Sequence, residues 1–279
     1  MRHHRVAGGG GTQLHVVESG DPAGPPILFL HGWSQAHASW QRQLNAAALQ
    51  SFRLIACDLR GHGDSDKPLD GYGESALWAA DVAAILSALA LDRPVLVGWS
   101  YAGYVIADYV RAHGDGALRG IVFVGAATDT GRTSYAPPGD GWAGILPDGT
   151  GNPNIYSPGA EEAALAMRQF MRACFAAPVD HLTELELLGI ALSTPPRVRE
   201  ALFARRLAND DVLQAIRVPV LIAHGERDRI VDVATARHIA AQIPQATLSL
   251  YPQAGHAPFW EAQERFNAEL AAFAQPARA

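Results

Sequence analysis

The chain has 279 residues, 48% of them hydrophobic, and a formal net charge of -6 at pH 7. This length and apolar content favour one enzyme-sized domain, and a negative charge without basic runs argues against a nucleic-acid partner. No stretch reaches the roughly 18 apolar residues of a membrane span, and no apolar signal core follows Met1. We therefore expect a cytoplasmic protein with no membrane partner.

The N-terminal segment and the cysteines give further expectations. His3 and His4 lie in a terminus that we expect to be frayed. Cys57 and Cys174 are the only cysteines, one in a predicted strand and one in a predicted helix, so buried free thiols are expected rather than a disulfide. No pair of histidines has the helical spacing of a zinc site, and we expect neither a metal nor a cofactor.

The first half of the chain alternates strands and helices. Residues 26–30 and 52–57 are short apolar runs typical of buried strands. A turn, 31–33, follows the first run, and a turn with one hydrogen bond is enough to explain His31. The glycine-rich block 58–65 follows the second run, and we assign it a structural role beneath the site.

A sharp turn is predicted around Ser100. It follows the apolar run 94–97 and opens the amphipathic run 104–111, with the small residues Gly98 and Ala102 on either side. Such a turn exposes the serine hydroxyl at the positive end of a helix. By itself the pattern leaves two interpretations about equally open, a helix-capping serine and a nucleophile.

Two further residues have the types and the chain order that a serine nucleophile requires. Asp228 follows a predicted strand, and His256 lies in a loop rich in glycine and proline. Neutral imidazole can accept the proton of a serine hydroxyl, and a carboxylate can orient that imidazole. Glu226, in the same loop as Asp228, and Asp129, after another predicted strand, are alternative carboxylates.

Acyl transfer also needs donors for a developing oxyanion. The backbone N–H of Tyr101, directly after Ser100, is one candidate. The backbone N–H of Trp33, in the turn after an earlier strand, is the other.

The middle of the chain differs from both ends. Residues 128–159 are crowded with glycine and proline, whereas 160–175, 179–192 and 196–207 are predicted helices with apolar faces. We interpret 128–212 as a cap inserted into a core formed by 1–127 and 213–279. The strand–helix alternation resumes at Val218, which predicts a mostly parallel sheet with helices on both faces.

Aromatic residues next to the predicted site, and others in the predicted cap, are candidates to bind substrate. These are Trp33, Trp99, Tyr101, Trp142, Phe170, Phe175 and Phe259. An uncharged aromatic pocket favours a hydrophobic ester or lactone over an anionic substrate. We expect about half of the cap candidates to pack against other residues instead, because every amphipathic helix needs an apolar face.

Together these motifs resemble the α/β-hydrolase superfamily, in particular its serine carboxylesterase and cofactor-free haloperoxidase-like branch. The resemblance rests on 31–33, 58–65, 98–103 and the loops of Asp228 and His256. It implies an eight-stranded, mostly parallel sheet with a helical cap. Ala102 stands where the common pattern has glycine. Ser34 stands where perhydrolase-like members often have proline, which disfavours peroxidase activity.

The leading hypothesis is hydrolysis of a small hydrophobic ester or lactone through an acyl-Ser100 intermediate. Carbon–carbon bond hydrolysis and perhydrolysis, as in a haloperoxidase, use the same triad and are the enzymatic alternatives. A ligand-binding sensor with a hydrolase fold is the non-enzymatic alternative, although no member of the triad is missing. The substrate's identity and the oligomeric state stay open.

Overall fold

The computed structural model describes residues 1–130 and 153–275. Eight strands occur in these ranges: β1 (Arg2–Ala7), β2 (Gln13–Gly20), β3 (Pro26–Leu30), β4 (Arg53–Cys57), β5 (Val95–Trp99), β6 (Gly120–Val124), β7 (Val220–Gly225) and β8 (Ala246–Tyr251). They form one sheet in the order β1-β2-β4-β3-β5-β6-β7-β8. β2 pairs antiparallel with β1 and β4, and every other pair is parallel.

Ten α-helices accompany the sheet in the described residues. The described ranges contain α1 (Gln41–Leu44), α2 (Ser75–Ala88), α3 (Ala102–His113), α4 (Ala160–Ala173), α5 (His181–Leu192), α6 (Pro196–Phe203), α7 (Asp210–Ala215), α8 (Val233–Gln242), α9 (Pro258–Glu261) and α10 (Gln263–Ala274). The predicted eight-stranded α/β-hydrolase architecture is confirmed. None of the described helices has the length and apolar character needed to cross a bilayer.

The hydrophobic core lies along the middle of the sheet. Every residue of β3, β5, β6 and β7 is buried, as expected for parallel strands covered on both faces. The last strand, β8, is only partly buried along most of its length. Cys57 and Cys174 are both buried and free, in agreement with the prediction.

The N-terminus is ordered, so the expectation of a frayed segment is wrong. Residues 2–7 form β1, whose six residues all pair with β2. The His4 side chain lies 2.8 Å from a carboxylate oxygen of Glu18 on β2. The error arises because β1 is an edge strand with mostly exposed side chains and therefore lacks an apolar pattern.

Helices α4, α5 and α6 occupy the three helical segments predicted for the middle of the chain. The predicted boundary between residues 212 and 213 falls inside α7, which packs against α3 and α8. Much of the glycine- and proline-rich loop, 131–152, lies outside the described residues.

Candidate active site

Ser100 lies in the turn between β5 and α3, as its sequence context predicts. Its φ is 56°, in the left-handed region that costs an L-residue about 1–2 kcal/mol. Its backbone N–H donates to Val124 O at 2.9 Å, and its carbonyl accepts from the N–H groups of Gly103 and Ala127 at 2.9 and 3.1 Å. The backbone is therefore fixed, while the residue as a whole is only partly buried.

The turn requires small residues on both sides of the serine. A Cβ on Gly98 would lie 2.5 Å from the Ile106 side chain and 3.2 Å from the Cβ of Ala102. Ala102 is itself completely buried, so its single methyl group fits. A Cβ on Gly32 would lie 3.0 Å from the Cβ of Ser100, which shows how closely the loop after β3 approaches the serine.

His256 and Asp228 are joined by a buried hydrogen bond of 2.7 Å between His Nδ1 and Asp Oδ2. The other carboxylate oxygen accepts from the backbone N–H groups of Ile230 and Val231 at 2.7 and 3.0 Å. Burial opposes the carboxylate's charge, but His256 and His224 hold the pKa of Asp228 well below its usual 3.8. His256 Nε2 is buried and has no hydrogen-bond partner in the described chain.

The two alternative carboxylates lie in different environments. Glu226 is exposed to solvent. Asp129 is buried, and one of its carboxylate oxygens lies 3.2 Å from the backbone N–H of Asn209. Among these three acids, Asp228 is the one that is hydrogen-bonded to His256.

A second histidine, which the sequence analysis does not single out, contacts the same aspartate. His224 Nε2 lies 2.9 Å from Val231 O and 3.2 Å from Asp228 Oδ2. Burial lowers the pKa of His224, but the contact with Asp228 outweighs burial and raises it above 6.5. The signal in the sequence is the four-residue spacing between His224 and Asp228 at the end of a strand.

The loop of His256 is also held by two glycines that the sequence analysis did not identify, Gly125 and Gly225, and by Trp99. Gly125 has a φ of 48°, and a Cβ there would lie 3.1 Å from His256 Nδ1 and 3.0 Å from its carbonyl oxygen. A Cβ on Gly225 would lie 2.0 Å from Gly255 O, in the loop that carries His256. Trp99 Nε1 donates to His256 O at 2.8 Å. Gly125 thus lies against the imidazole, while Gly225 and Trp99 contact the backbone of the loop that carries it.

The two candidate oxyanion donors lie on neighbouring loops. β3 and β5 pair in parallel with Leu30 opposite Gly98, so the chain segments leading to Trp33 and Tyr101 leave the same edge of the sheet. Neither backbone N–H donates to an acceptor within the described residues. Tyr101 directly precedes α3, so its N–H lies at the positive end of that helix.

Two neutral histidines support the loop that contains Trp33. Burial lowers the pKa of His31 to about 4 and that of His62 to about 3. His31 lies between Gly32 O, at 2.8 Å, and Leu59 N, at 3.0 Å, and His62 Nε2 accepts from Ser34 N at 3.3 Å. The structural roles predicted for His31 and for the block 58–65 agree with these contacts.

The helical segment α4–α6 is tied to the loops of the site by hydrogen bonds. In each case a donor from the site reaches a backbone carbonyl of the helical segment. The pairs are Trp33 Nε1 to Arg199 O, Ser34 Oγ to Ala191 O, Tyr101 Oη to Leu202 O, and His256 N to Cys174 O, at 2.8–3.3 Å. Three of these carbonyls lie at or just beyond helix C-termini, where no intrahelical donor is available.

An aromatic cluster surrounds Trp33. Its ring centroid lies 5.1 Å from that of Phe170, 5.1 Å from that of Phe203 and 6.4 Å from that of Tyr156. Phe170 and Phe203 are only partly buried. The structure thus brings two predicted residues, Trp33 and Phe170, together and adds Phe203 and Tyr156, which the sequence analysis did not predict.

The remaining aromatic candidates have other surroundings. Trp99 and Phe259 lie in the core with ring centroids 4.9 Å apart, so their positions indicate packing instead of substrate contact. The Tyr101 side chain packs on Trp78. Phe175 lines a cavity of about 460 Å³ together with residues of α4 and α5. Trp142 lies outside the described residues.

The chain belongs to the alpha/beta hydrolase family, whose sequence profile matches residues 27–269. The esterase RhEst1 from Rhodococcus sp. ECU1013 is 39% identical, with 98% of each chain covered and a TM-score of 0.86. A non-heme haloperoxidase from Rhodococcus erythropolis is 30% identical over 96% of this chain and 98% of the relative. The non-heme chloroperoxidase CPO-A1 from Kitasatospora aureofaciens is 32% identical over 90% and 92%.

These similarities confirm the predicted family and its esterase and haloperoxidase-like branch. The predicted enzyme class, an esterase-like α/β-hydrolase, is likewise confirmed.

Proposed function

We propose that the chain is a serine carboxylesterase that cleaves a small hydrophobic ester or lactone through an acyl-Ser100 intermediate. The observation that carries this proposal is the buried 2.7 Å hydrogen bond between Asp228 and Nδ1 of His256, which leaves His256 Nε2 without a partner in the described chain. The relative RhEst1 is named an esterase, which supports the same reaction class.

In the proposed first step, Ser100 Oγ attacks the ester carbonyl while His256 Nε2 accepts the hydroxyl proton. Asp228 holds the imidazole by Nδ1 and stabilises the imidazolium that forms. The backbone N–H groups of Trp33 and Tyr101 bind the oxyanion, and each such donor contributes about 3–4 kcal/mol in well-studied hydrolases. Collapse of the tetrahedral intermediate expels the alcohol, which takes the proton from His256.

In the second step, His256 removes a proton from water, which attacks the acyl group on Ser100. The same two N–H groups bind the second oxyanion, and the proton returns to Ser100 as the acid leaves. The reaction consumes one water for each ester and needs no other reactant.

The aromatic cluster supports the choice of a hydrophobic substrate. Trp33 supplies a proposed oxyanion donor, while its side chain contacts Phe170 of α4 and Phe203 of α6. A group bound next to that donor therefore meets aromatic rings. We propose that residues 128–212 form the cap that contributes this surface, with the core formed by 1–127 and 213–279.

Perhydrolysis is the second candidate, because two relatives are named haloperoxidase or chloroperoxidase. In that reaction hydrogen peroxide replaces water in the second step, and a peracid leaves. Ser34 occupies the position of the proline that perhydrolase-like members often carry, and its hydroxyl donates to Ala191 O. For this reason ester hydrolysis ranks above perhydrolysis.

Covalent labelling tests the nucleophile directly. An organophosphonate should add mass to the peptide that contains Ser100 and abolish hydrolysis of p-nitrophenyl butyrate. Ser100→Ala should be neither labelled nor active, whereas Ser193→Ala, at an exposed serine, should behave as wild type. Labelling of another residue, or turnover by Ser100→Ala near the wild-type rate, would refute the mechanism.

A substrate panel then separates the reaction classes. Wild type and Ser100→Ala are assayed on p-nitrophenyl esters of increasing length, on lactones and on vinylogous diketones, and peracid formation is measured with peroxide. We expect hydrolysis of short esters or lactones to be fastest. Faster diketone cleavage or peracid formation would favour an alternative on the same triad.

A further inference from the structure

A second cluster of titratable side chains lies apart from Ser100 and His256. His15 on β2, His37 after the Trp33 loop and Asp58 after β4 converge, with their ligand atoms within 4.8 Å of one another. Among the described residues this is the one group of three metal-ligating side chains that meets this criterion. The sequence did not predict this cluster, because strand pairing, not helical spacing, brings its residues together.

The two imidazoles approach the two oxygens of a single carboxylate. His15 Nδ1 lies 2.8 Å from Asp58 Oδ2, and His37 Nδ1 lies 2.8 Å from Asp58 Oδ1. Asp58 is fully buried and His15 nearly so, whereas the His37 side chain is 21% exposed. Two imidazole nitrogens and a carboxylate thus converge next to the partly exposed edge of His37.

The ligand atoms are oriented by further contacts. Asp58 accepts hydrogen bonds from the backbone N–H groups of His37 and Asp64, at 2.6 and 2.9 Å, so its carboxylate stays in place without the imidazole protons. His15 Nε2 lies 3.0 Å from His3 Nδ1 on β1. Protein metal sites use such outer contacts to fix the ring orientation of a histidine ligand.

A fourth ligand is within reach. The Asp64 carboxylate, which is 71% exposed, lies 3.9 Å from His15 Nδ1. In a tetrahedral zinc site, bonds of about 2.0–2.2 Å place neighbouring ligand atoms roughly 3.3 Å apart. The separations of 2.8 Å between each Nδ1 and Asp58, and of 3.9 Å between His15 Nδ1 and Asp64, lie on either side of that value. Small side-chain movements would therefore bring these ligand atoms to the spacing of a zinc site.

We propose that His15, His37, Asp58 and Asp64 bind one divalent transition-metal ion, with Zn²⁺ as the ion best suited to two imidazoles and two carboxylates. The ion takes the position of the two imidazole Nδ1 protons, which pass to solvent. The two carboxylates balance its charge, and the exposed edge formed by His37 and Asp64 gives access. The site is independent of the proposed ester hydrolysis.

Titration of the untagged, EDTA-treated chain with Zn²⁺ in a calorimeter tests the proposal. We expect one ion per chain, with affinity that rises with pH because protons are displaced. His37→Ala should weaken binding at least about tenfold, since it removes a ligand at the partly open edge. His181→Ala, at an exposed histidine on α5, should bind as wild type.

Binding of Co²⁺ gives a second, spectroscopic measurement that does not depend on the heat of binding. Co²⁺ should produce the visible absorption of a four-coordinate site in wild type and in Ser100→Ala, and this absorption should disappear in His37→Ala. Thermal melts establish that each variant is folded. Failure to bind either ion, or unchanged binding by folded His37→Ala, would overturn the proposal whatever the fate of the esterase assignment.

Discussion

The loops that carry Ser100, Asp228 and His256 differ sharply from helices α4–α6. In the loops, Asp228 and His256 are almost fully buried, and glycine contacts and backbone hydrogen bonds fix the polar groups. In the helices, large apolar side chains face solvent. These are Leu165, Leu182, Leu185 and Leu192, which are 38–76% exposed. The polar groups of the proposed triad are therefore held in fixed positions, whereas helices α4–α6 leave apolar surface that can vary.

Substitutions in the two regions should therefore have different consequences. Changes in the loops should lower the rate for every substrate. Changes in the helices should alter which substrate is preferred.

The largest effect is expected for Asp228→Asn. The amide cannot stabilise the imidazolium of His256, and in the Ser-His-Asp proteases the corresponding change costs about 10⁴ in kcat. We expect a loss of roughly 10³–10⁴-fold in kcat for p-nitrophenyl butyrate. Glu226→Gln, in the same loop but exposed, serves as the control and should keep the wild-type rate. A rate within tenfold of wild type in folded Asp228→Asn would assign the orienting acid elsewhere.

Gly125→Ala should have the next largest effect. The methyl group would press on His256 Nδ1 at 3.1 Å, and misplacement of a catalytic group by about 1 Å can cost roughly 10²-fold in rate. Gly10→Ala is a matched control, because Gly10 also has a positive φ but its added methyl would meet only Leu77, at 3.5 Å.

Both glycine variants should lose about 1–2 kcal/mol of unfolding free energy from the left-handed backbone. Only Gly125→Ala should lose kcat. Equal kcat values for the two variants at a temperature where both are folded would show that the Gly125 contact does not position His256.

A moderate effect is expected for His224→Phe. Removing a donor to Asp228 leaves more of the carboxylate's charge to stabilise protonated His256, so activity should be lost at a higher pH on the acid side. We expect the acid limb of kcat/KM to move up by roughly half a pH unit, which corresponds to about 0.7 kcal/mol. His113→Phe, at an exposed histidine, should leave the profile in place. A shift toward lower pH would contradict the role given to His224.

The smallest effect on overall rate is expected for Phe170→Ala. This change opens space beside Trp33 and should raise kcat/KM for long acyl chains relative to short ones by roughly 3- to 10-fold, as expected for one hydrophobic contact. The rate for p-nitrophenyl acetate should stay within about twofold of wild type. Leu165→Ala, on the exposed side of the same helix, should leave the preference unchanged, and a matching change there would disprove a specific role for Phe170.

The parts of the fold with strong local patterns could be predicted from the sequence. β3 spans 26–30, as predicted, because it is a short apolar run followed by a turn. The turn at Ser100 was predictable for the same reason, since a strand, two small residues and a helix follow one another. The position of Asp228 in the chain favours it over Asp129 as the orienting acid. In the structure Asp228 is the one that contacts His256.

Features that depend on distant contacts could not be predicted in this way. β1 is exposed at the sheet edge, so its residues carry no apolar pattern to indicate a strand. The role of Gly125 depends on a loop more than a hundred residues away. Trp99 and Phe259 lie close in sequence to the proposed catalytic residues Ser100 and His256, yet their rings turn into the core.

The carbonyls of Cys174, Ala191 and Leu202 have a consequence for protein engineering. Each accepts a hydrogen bond from a donor beside the site, and a buried donor left without its acceptor costs about 1–3 kcal/mol. A graft that replaces α4–α6 with helices of another hydrolase must therefore present carbonyls at these three positions. Helices that match α4–α6 only in length and hydrophobicity would not be enough to obtain a working chimera.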